Sequence, residues 1–231
     1  MIKFENAQFS GFEPAVRGMR NPMNSWDRSD SMIIEVDGMK GFMVGEDDLQ
    51  LMNKLFKAGT EHRKFSRMII VWLDITAPLY WWKEFDTYKV GTVANSCSTM
   101  HKIHAKEFTL DDFSHDHLND VPIDVTYQSS NGICVHLGSK SSYEHLIDTI
   151  ALLNCYRERF LKDRNKADWW NMIQLLPSSY NQKRTVMMNY EVCARIIGQR
   201  TGHKLDEWNQ FVDFLKGLPH LQNIMDVEEN E

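Results

Sequence analysis

His101 and His104 stand three residues apart, and His115 and His117 flank Asp116, so both groups offer ring nitrogens that could ligate a metal ion or move a proton. A metal centre needs three or four converging ligands, and no third ligand stands at motif spacing beside either pair. We read them as surface histidines, with no metal expected. Lys102, Lys106, Lys162, Arg164 and Lys166 give a mild basic cluster, but Glu158 and Asp163 interleave with its later part, the pattern of a solvated helix face. Trp81-Trp82 and Trp169-Trp170 are aromatic doublets. Adjacent helical residues point about 100° apart, so at most one ring of each pair is expected to be fully buried, the other serving an interface or a stacking platform. Glycine-rich phosphate loops and the GxSxG elbow are absent.

The elements that position such residues follow from periodicity and breakers. Met1–Phe9 and Ser31–Val36 read as strands separated by a turn around Arg20-Asn21-Pro22. Glu46, Asp47 and Asp48 open a helix with Leu49, Met52, Leu55 and Phe56 on one face and Gly59 at its end. Met68–Leu73 reads as a strand, and Thr76 and Pro78 as the start of a helix running to about Tyr88. Thr109–Gly138 is the least regular part, with a turn at Ser129-Ser130-Asn131-Gly132. Then come helices: Ser141–Leu161, one around Trp169–Ile173 closed by Pro177, one carrying Val186, Tyr190, Cys193 and Ile197, and one with Leu205, Trp208, Phe211, Val212 and Leu215 before Gly217 and Pro219. Strands early and helices late predict an α+β fold in a single domain.

Composition bounds the function. The 231 residues are 42% hydrophobic and 25% charged, which supports a packed core rather than disorder. Lys+Arg is 26 against Asp+Glu 32, a net charge of −6 that argues against nucleic acid as a partner. The apolar runs are too short to span a bilayer, and Lys3, Glu5 and Gln8 interrupt any leader, so we expect no membrane association. Cys97, Cys134, Cys155 and Cys193 form no CxxC pair and read as reduced thiols of a cytoplasmic protein.

His62 precedes the run Met68–Leu73, the helix opening Ala77-Pro78-Leu79-Tyr80 follows, and then comes Thr87-Tyr88-Lys89-Val90-Gly91-Thr92-Val93-Ala94-Asn95-Ser96-Cys97-Ser98-Thr99. Later, Leu176-Pro177, Tyr180, Asn189, Arg200, His203, Glu207 and Phe211 keep step to the last helix. In order and spacing these segments, spread over half the chain, resemble the flavin-dependent thymidylate synthase family (the ThyX type). Its pattern is a histidine before a strand, a helix, the signature RHRxxSxNxxSxR, and a later LP-to-HAQ block. Thr87-Tyr88-Lys89 stand where the family has Arg-His-Arg, Thr92 stands for a serine, and Glu191 replaces an arginine. Lysine lacks the bidentate fork of arginine, a loss on the order of 1.5–3 kcal/mol per charged hydrogen bond.

The resemblance implies a small central β-sheet with long helices over residues 1–231, the acidic tail Asp226–Glu231 frayed, in a homotetramer. It implies FAD, with NADPH and methylenetetrahydrofolate as co-substrates, and methylation of dUMP to dTMP, the hard step being the cofactor's. Carried over residue by residue, Arg200 is the catalytic and nucleotide-touching arginine, and Glu84, Lys183 and Asn95 complete the substrate side. His62, Lys89, Thr92 and Asn189 are the cofactor side. Two readings follow: a divergent FAD-dependent enzyme acting on a pyrimidine deoxynucleotide, or a non-catalytic nucleotide-binding or structural homologue that has lost the flavin site. The retained substrate-side residues favour the first.

Overall fold

The computed structural model describes residues 2–225, so the acidic tail 226–231 lies outside the described residues. Its first strand, β1 (Lys3–Ser10), ends at Gly11, which takes φ +103°; a Cβ there would lie 2.1 Å from the Met68 carbonyl oxygen, so glycine alone fits. Helix α1 (Phe12–Arg20) follows and buries Phe12, Ala15, Val16 and Met19. That helix is not among the expected elements because Pro14 and Gly18 look like breakers. Pro14 sits in the first turn, where no intrahelical donor is needed. A hairpin of β2 (Met32–Val36) and β3 (Met39–Met43) leads to α2 (Glu46–Lys57).

Glu46, Asp47 and Asp48 form the acidic first turn of α2 as expected, and Asp48 among them is fully buried. Its carboxylate takes Arg20 Nε at 2.6 Å and the hydroxyls of Ser29 and Ser31, each at 2.6 Å. Burial alone would raise its pKa, but the bonds from Ser29, Ser31 and Arg20 together with the Arg20 charge hold it below the ordinary carboxylate value.

Strand β4 (Ile70–Pro78) buries alternate residues Val71, Leu73, Ile75 and Ala77. Pro78 is therefore the end of a strand, and the helix expected from Thr76 to Tyr88 is shorter, α3 (Leu79–Phe85). Then come β5 (Thr92–Ser96), β6 (Ile123–Gln128), β7 (Cys134–Lys140), α4 (Ser142–Asp163), α5 (Lys166–Leu175), β8 (Asn181–Asn189), α6 (Tyr190–Arg200), α7 (Asp206–Lys216) and α8 (Leu221–Met225). The irregular middle contains the β6–β7 hairpin, whose turn is the Ser129–Gly132 segment. Val186 belongs to β8, not to a helix: Val186 and Met188 are buried two apart, the strand period. A strand thus falls late in the chain, but the mixture of helix and sheet is the predicted α+β.

By compactness the described chain divides into two units. One comprises residues 76–83 and 96–183; the other comprises 2–75, 84–95 and 184–225. In the first, Ile103, Phe108, Phe113, Leu146, Ile150, Leu153 and Met172 form the core, and α4 is capped by Ser141 in a reciprocal capping box with Glu144. Trp81 and Trp82 are both fully buried, against the expectation of one. A 100° step turns a ring toward water only when one side of the helix is open, and α3 is enclosed around both rings. Trp82 Nε1 donates to the Gln182 carbonyl at 2.9 Å. The other doublet behaves as expected, with Trp169 half-buried and Trp170 exposed.

The second unit holds most of a four-stranded sheet ordered β1-β4-β8-β5. Around it pack Met52, Phe65, Tyr190, Trp208, Phe211, Leu215 and Leu221, all buried. Among the described residues no helix is long and apolar enough to cross a membrane.

Asp48→Asn leaves Arg20 buried without its counter-charge and is expected to lower the unfolding free energy at neutral pH by about 3–5 kcal/mol in urea titration. Because the folded carboxyl titrates below its unfolded value, the wild-type contribution is whole at neutral pH and is lost as the pH falls below about 4; the asparagine variant shows no such loss. All four cysteines are free, and burial pushes the Cys193 thiol up to about 12. A thiol reagent should therefore label exposed Cys97, Cys134 and Cys155 in the native protein, and Cys193 only after unfolding.

Candidate functional site

Helix α6 directs the site. Asn189 precedes it, and its side-chain oxygen accepts the Val192 amide at 3.0 Å as an N-cap. Gly91, at φ +79°, packs so closely that a Cβ would come within 2.5 Å of Asn189 Nδ2. Tyr190, Cys193, Ile196 and Ile197 are committed to the core, so the polar stripe of the helix is Glu191, Arg195, Gln199 and Arg200.

The N-terminal half of that stripe lines a cavity of about 550 Å³, which is also walled by Phe56, Thr60, Arg63, Arg67, Val90 and Asn189. Its charged groups are three arginines, Arg63, Arg67 and Arg195, and one carboxylate, Glu191. Glu191 grips Arg67 in a fork, with Nε at 2.5 Å and Nη2 at 3.2 Å, and lies 3.7 Å from Arg63 Nε. This pairing raises the pKa of Arg67. The Arg63 Nε atom is buried with no hydrogen-bond partner, and so is the Thr92 hydroxyl nearby in sequence to Val90. Arg63 lies over the Phe56 ring at 4.9 Å and Arg195 over the Tyr88 ring at 5.3 Å. Cations backed by apolar surface suit a ligand with phosphate at one end and a flat ring at the other.

The C-terminal end of the stripe builds a second cluster. Arg200 Nη1 donates to Glu84 Oε2 at 2.5 Å, and its Nε donates to the Tyr88 hydroxyl at 3.0 Å. Its guanidinium lies 4.3 Å from the Trp208 ring centre. Trp208 Nε1 donates to the same Glu84 oxygen at 3.1 Å. The Leu205 amide donates to His203 Nδ1 at 3.1 Å, and His203 Nε2 lies 3.1 Å from Arg200 Nη1 and 3.6 Å from Glu84 Oε2. Tyr88 in turn donates to Gln199 Oε1 at 3.0 Å. The arrangement clamps Arg200 on three sides and leaves its Nη2 and Glu84 Oε1 without partners among the described residues. One is a donor and the other an acceptor.

Of the residues singled out from sequence, Arg200 and Glu84 are in direct contact, and Asn189 lines the cavity. Lys89 and Thr92 flank the turn at Gly91 that packs on Asn189, Lys89 exposed and Thr92 half-buried at the start of β5. His62 is exposed just before Arg63 and does not line the cavity itself. Asn95 is exposed on β5. Lys183 belongs to the first unit, half-buried in β8, while the others belong to the second. Arg63, Arg67 and Arg195 were not anticipated. They lie on a 3₁₀ turn (Arg63–Arg67) and on α6, more than 120 residues apart in the case of Arg67 and Glu191, and no short motif links them. The spacing of Glu191 and Arg195 on one helix face was the available signal.

His101 and His104 do not share a helix; both lie in turns, and His104 packs on Phe160 at 4.8 Å. Burial and the charges of Arg164, Lys102 and Arg157 lower the His104 pKa, surroundings that repel a metal cation. Among the described residues no group of three or more His, Cys, Asp or Glu is placed to hold a metal ion.

No protein-family model matches the chain, and no curated protein matches it. Solved structures do. The fold is similar to that of the flavin-dependent thymidylate synthase ThyX from Helicobacter pylori complexed with FAD and dUMP, at 14% identity over 96% of this chain and 97% of that one, TM-score 0.61. A second structure of that enzyme with FAD and dUMP gives 13% identity, 97% of both chains and a TM-score of 0.63. The UMP/dUMP methylase PolB from Streptomyces cacaoi, bound with 5-Br dUMP, gives 11% identity, 98% of this chain, 94% of that one and a TM-score of 0.59. The likeness is one of fold, and it extends over nearly the whole chain.

Tyr88→Phe deletes the hydroxyl shared by Arg200 and Gln199 and should lower the unfolding free energy by about 1–2 kcal/mol, read from denaturant midpoints at unchanged slope.

Proposed function

We propose that the chain is a flavin-dependent methylase of a pyrimidine nucleotide, converting dUMP to dTMP with FAD, NADPH and methylenetetrahydrofolate, as a homotetramer. The observation that carries this reading is the arginine-walled cavity at the start of α6, on the fold that FAD-bound and dUMP-bound enzymes share. The residues fit the cofactor: a buried Arg63 Nε lacks a hydrogen-bond partner, three arginines surround the cavity against one carboxylate, and Phe56, Val90 and Val192 supply apolar wall. Arg67 and Arg195 would hold its diphosphate, with Arg63 and Asn189 in the same wall. When bound, the flavin supplies the hydride that reduces the transferred one-carbon group.

The chain's own task is recognition and polarisation. Arg200 Nη2 donates to a pyrimidine carbonyl while Glu84 Oε1 accepts the adjacent ring N–H, an edge-on pairing that fits uracil. The guanidinium draws electron density toward the carbonyl oxygen and favours attack through the ring carbon. Trp208, Tyr88 and His203 fix the guanidinium plane, so little reorganisation accompanies binding. Lys89 and Asn95 serve the phosphate and sugar in this reading, and His62 the flavin. The rival reading, a nucleotide-binding protein without chemistry, draws on Tyr88, which takes the middle place of the Arg-His-Arg signature and is engaged by Arg195, Arg200 and Gln199.

An absorbance spectrum after incubation with FAD and desalting separates the two. Retention of a flavin band at one equivalent per subunit, with dUMP-dependent oxidation of NADPH, is the expected result; a folded but colourless protein supports the rival. Arg200→Ala should keep the band and reduce turnover by about a hundredfold to a thousandfold.

A further inference from the structure

We propose that Glu191 is a specificity-determining residue of the arginine-walled cavity: it holds Arg67 as an internal anion, and only a ligand with at least two negative charges displaces it. The inference rests on reading that cavity as a phosphate site. Glu191 occupies the Nε/Nη2 edge of Arg67, the same edge a phosphate would take as a bidentate acceptor. The carboxylate is anchored in the first turn of α6, where the helix dipole favours negative charge, so it competes without the entropy loss of a free anion.

Arg63 supplies the place to which Glu191 moves. Its Nε is buried, has no hydrogen-bond partner and stands 3.7 Å from Glu191 Oε1. A carboxylate shift of about 1 Å closes that gap to hydrogen-bond length. The exchange then reads as follows: phosphate oxygens take the vacated edge of Arg67 and the guanidinium of Arg195, while Glu191 takes Arg63. Three arginines, one glutamate and a doubly charged ligand sum to neutrality. A singly charged anion leaves the cavity with surplus positive charge and gains no more from Arg67 than Glu191 already does. Arg195 is open to such a ligand because it lies over the Tyr88 ring face rather than against a carboxylate.

The test is titration calorimetry of ligand-free protein with inorganic pyrophosphate and, at matched ionic strength, with acetate. The wild type should bind pyrophosphate and not acetate. Glu191→Gln should bind pyrophosphate at least tenfold more tightly and take up acetate as well. Arg67→Ala should weaken pyrophosphate binding at least tenfold, and Arg63→Ala should weaken it because Glu191 has lost its second position. If Glu191→Gln binds pyrophosphate equally or more weakly while the wild type still binds, Glu191 positions the arginines and the proposal falls, with the phosphate reading of the cavity intact. If neither wild type nor Glu191→Gln binds pyrophosphate, both fall together. A circular dichroism melt of each variant confirms that it is folded when titrated.

Discussion

Helix α6 can show solvent only one narrow stripe, and the rest of the site depends on that constraint. Val192, Cys193, Ala194, Ile196 and Ile197 are buried, so the functional side chains of an 11-residue helix are confined to Glu191, Arg195, Gln199 and Arg200. At 1.5 Å rise per residue, the first and last of these lie roughly 13–14 Å apart along the axis. That separation suits a site with a phosphate-binding end and a ring-binding end. Tyr88 lies against both, facing Arg195 at 5.3 Å and Arg200 at 5.7 Å, so the two ends share a wall.

The positive charge lies elsewhere than in the pattern the chain resembles. The signature segment carries Thr87-Tyr88-Lys89, with one exposed cation. Positive charge instead enters the cavity from Arg63 and Arg67, on a turn before β4, and from Arg195. Glu191, a charge reversal when read along the sequence, is matched in space by the two arginines it faces. Position by position the chain looks depleted in cations, whereas the cavity is not. Electrostatic function belongs to the sum of charges around a volume rather than to one position.

This bears on what was legible in the sequence. Long helices with caps were plain: α4 begins at Ser141 and α7 ends at Gly217, as the capping residues signal. Shorter elements were hidden by their punctuation, as α1 was by Pro14 and Gly18. The boundary between β8 and α6 was blurred because buried Val186 and Met188 at strand spacing run into buried Tyr190 and Cys193 at helical spacing, with Asn189 alone between the two periods. Arg200 and Glu84 were legible in the order of motifs, but their contact was not, since 116 residues separate them. Arg63 and Arg67 were invisible because their importance comes from facing α6, a tertiary fact that neither composition nor periodicity encodes.

The cluster around Glu84 also constrains how the protein can vary. One carboxylate oxygen receives Arg200 and Trp208, with His203 close by, and Arg200 is itself shared with Tyr88. Replacing any one partner strands the others, so the effects of separate substitutions here cannot add. Such a group drifts as a block: a change at Glu84 becomes tolerable only after, or together with, a change at Arg200 or Trp208. The five side chains amount to a single heritable character drawn from two stretches of the chain, 84–88 and 200–208, and the order in which they can be altered is itself dictated by who is bonded to whom.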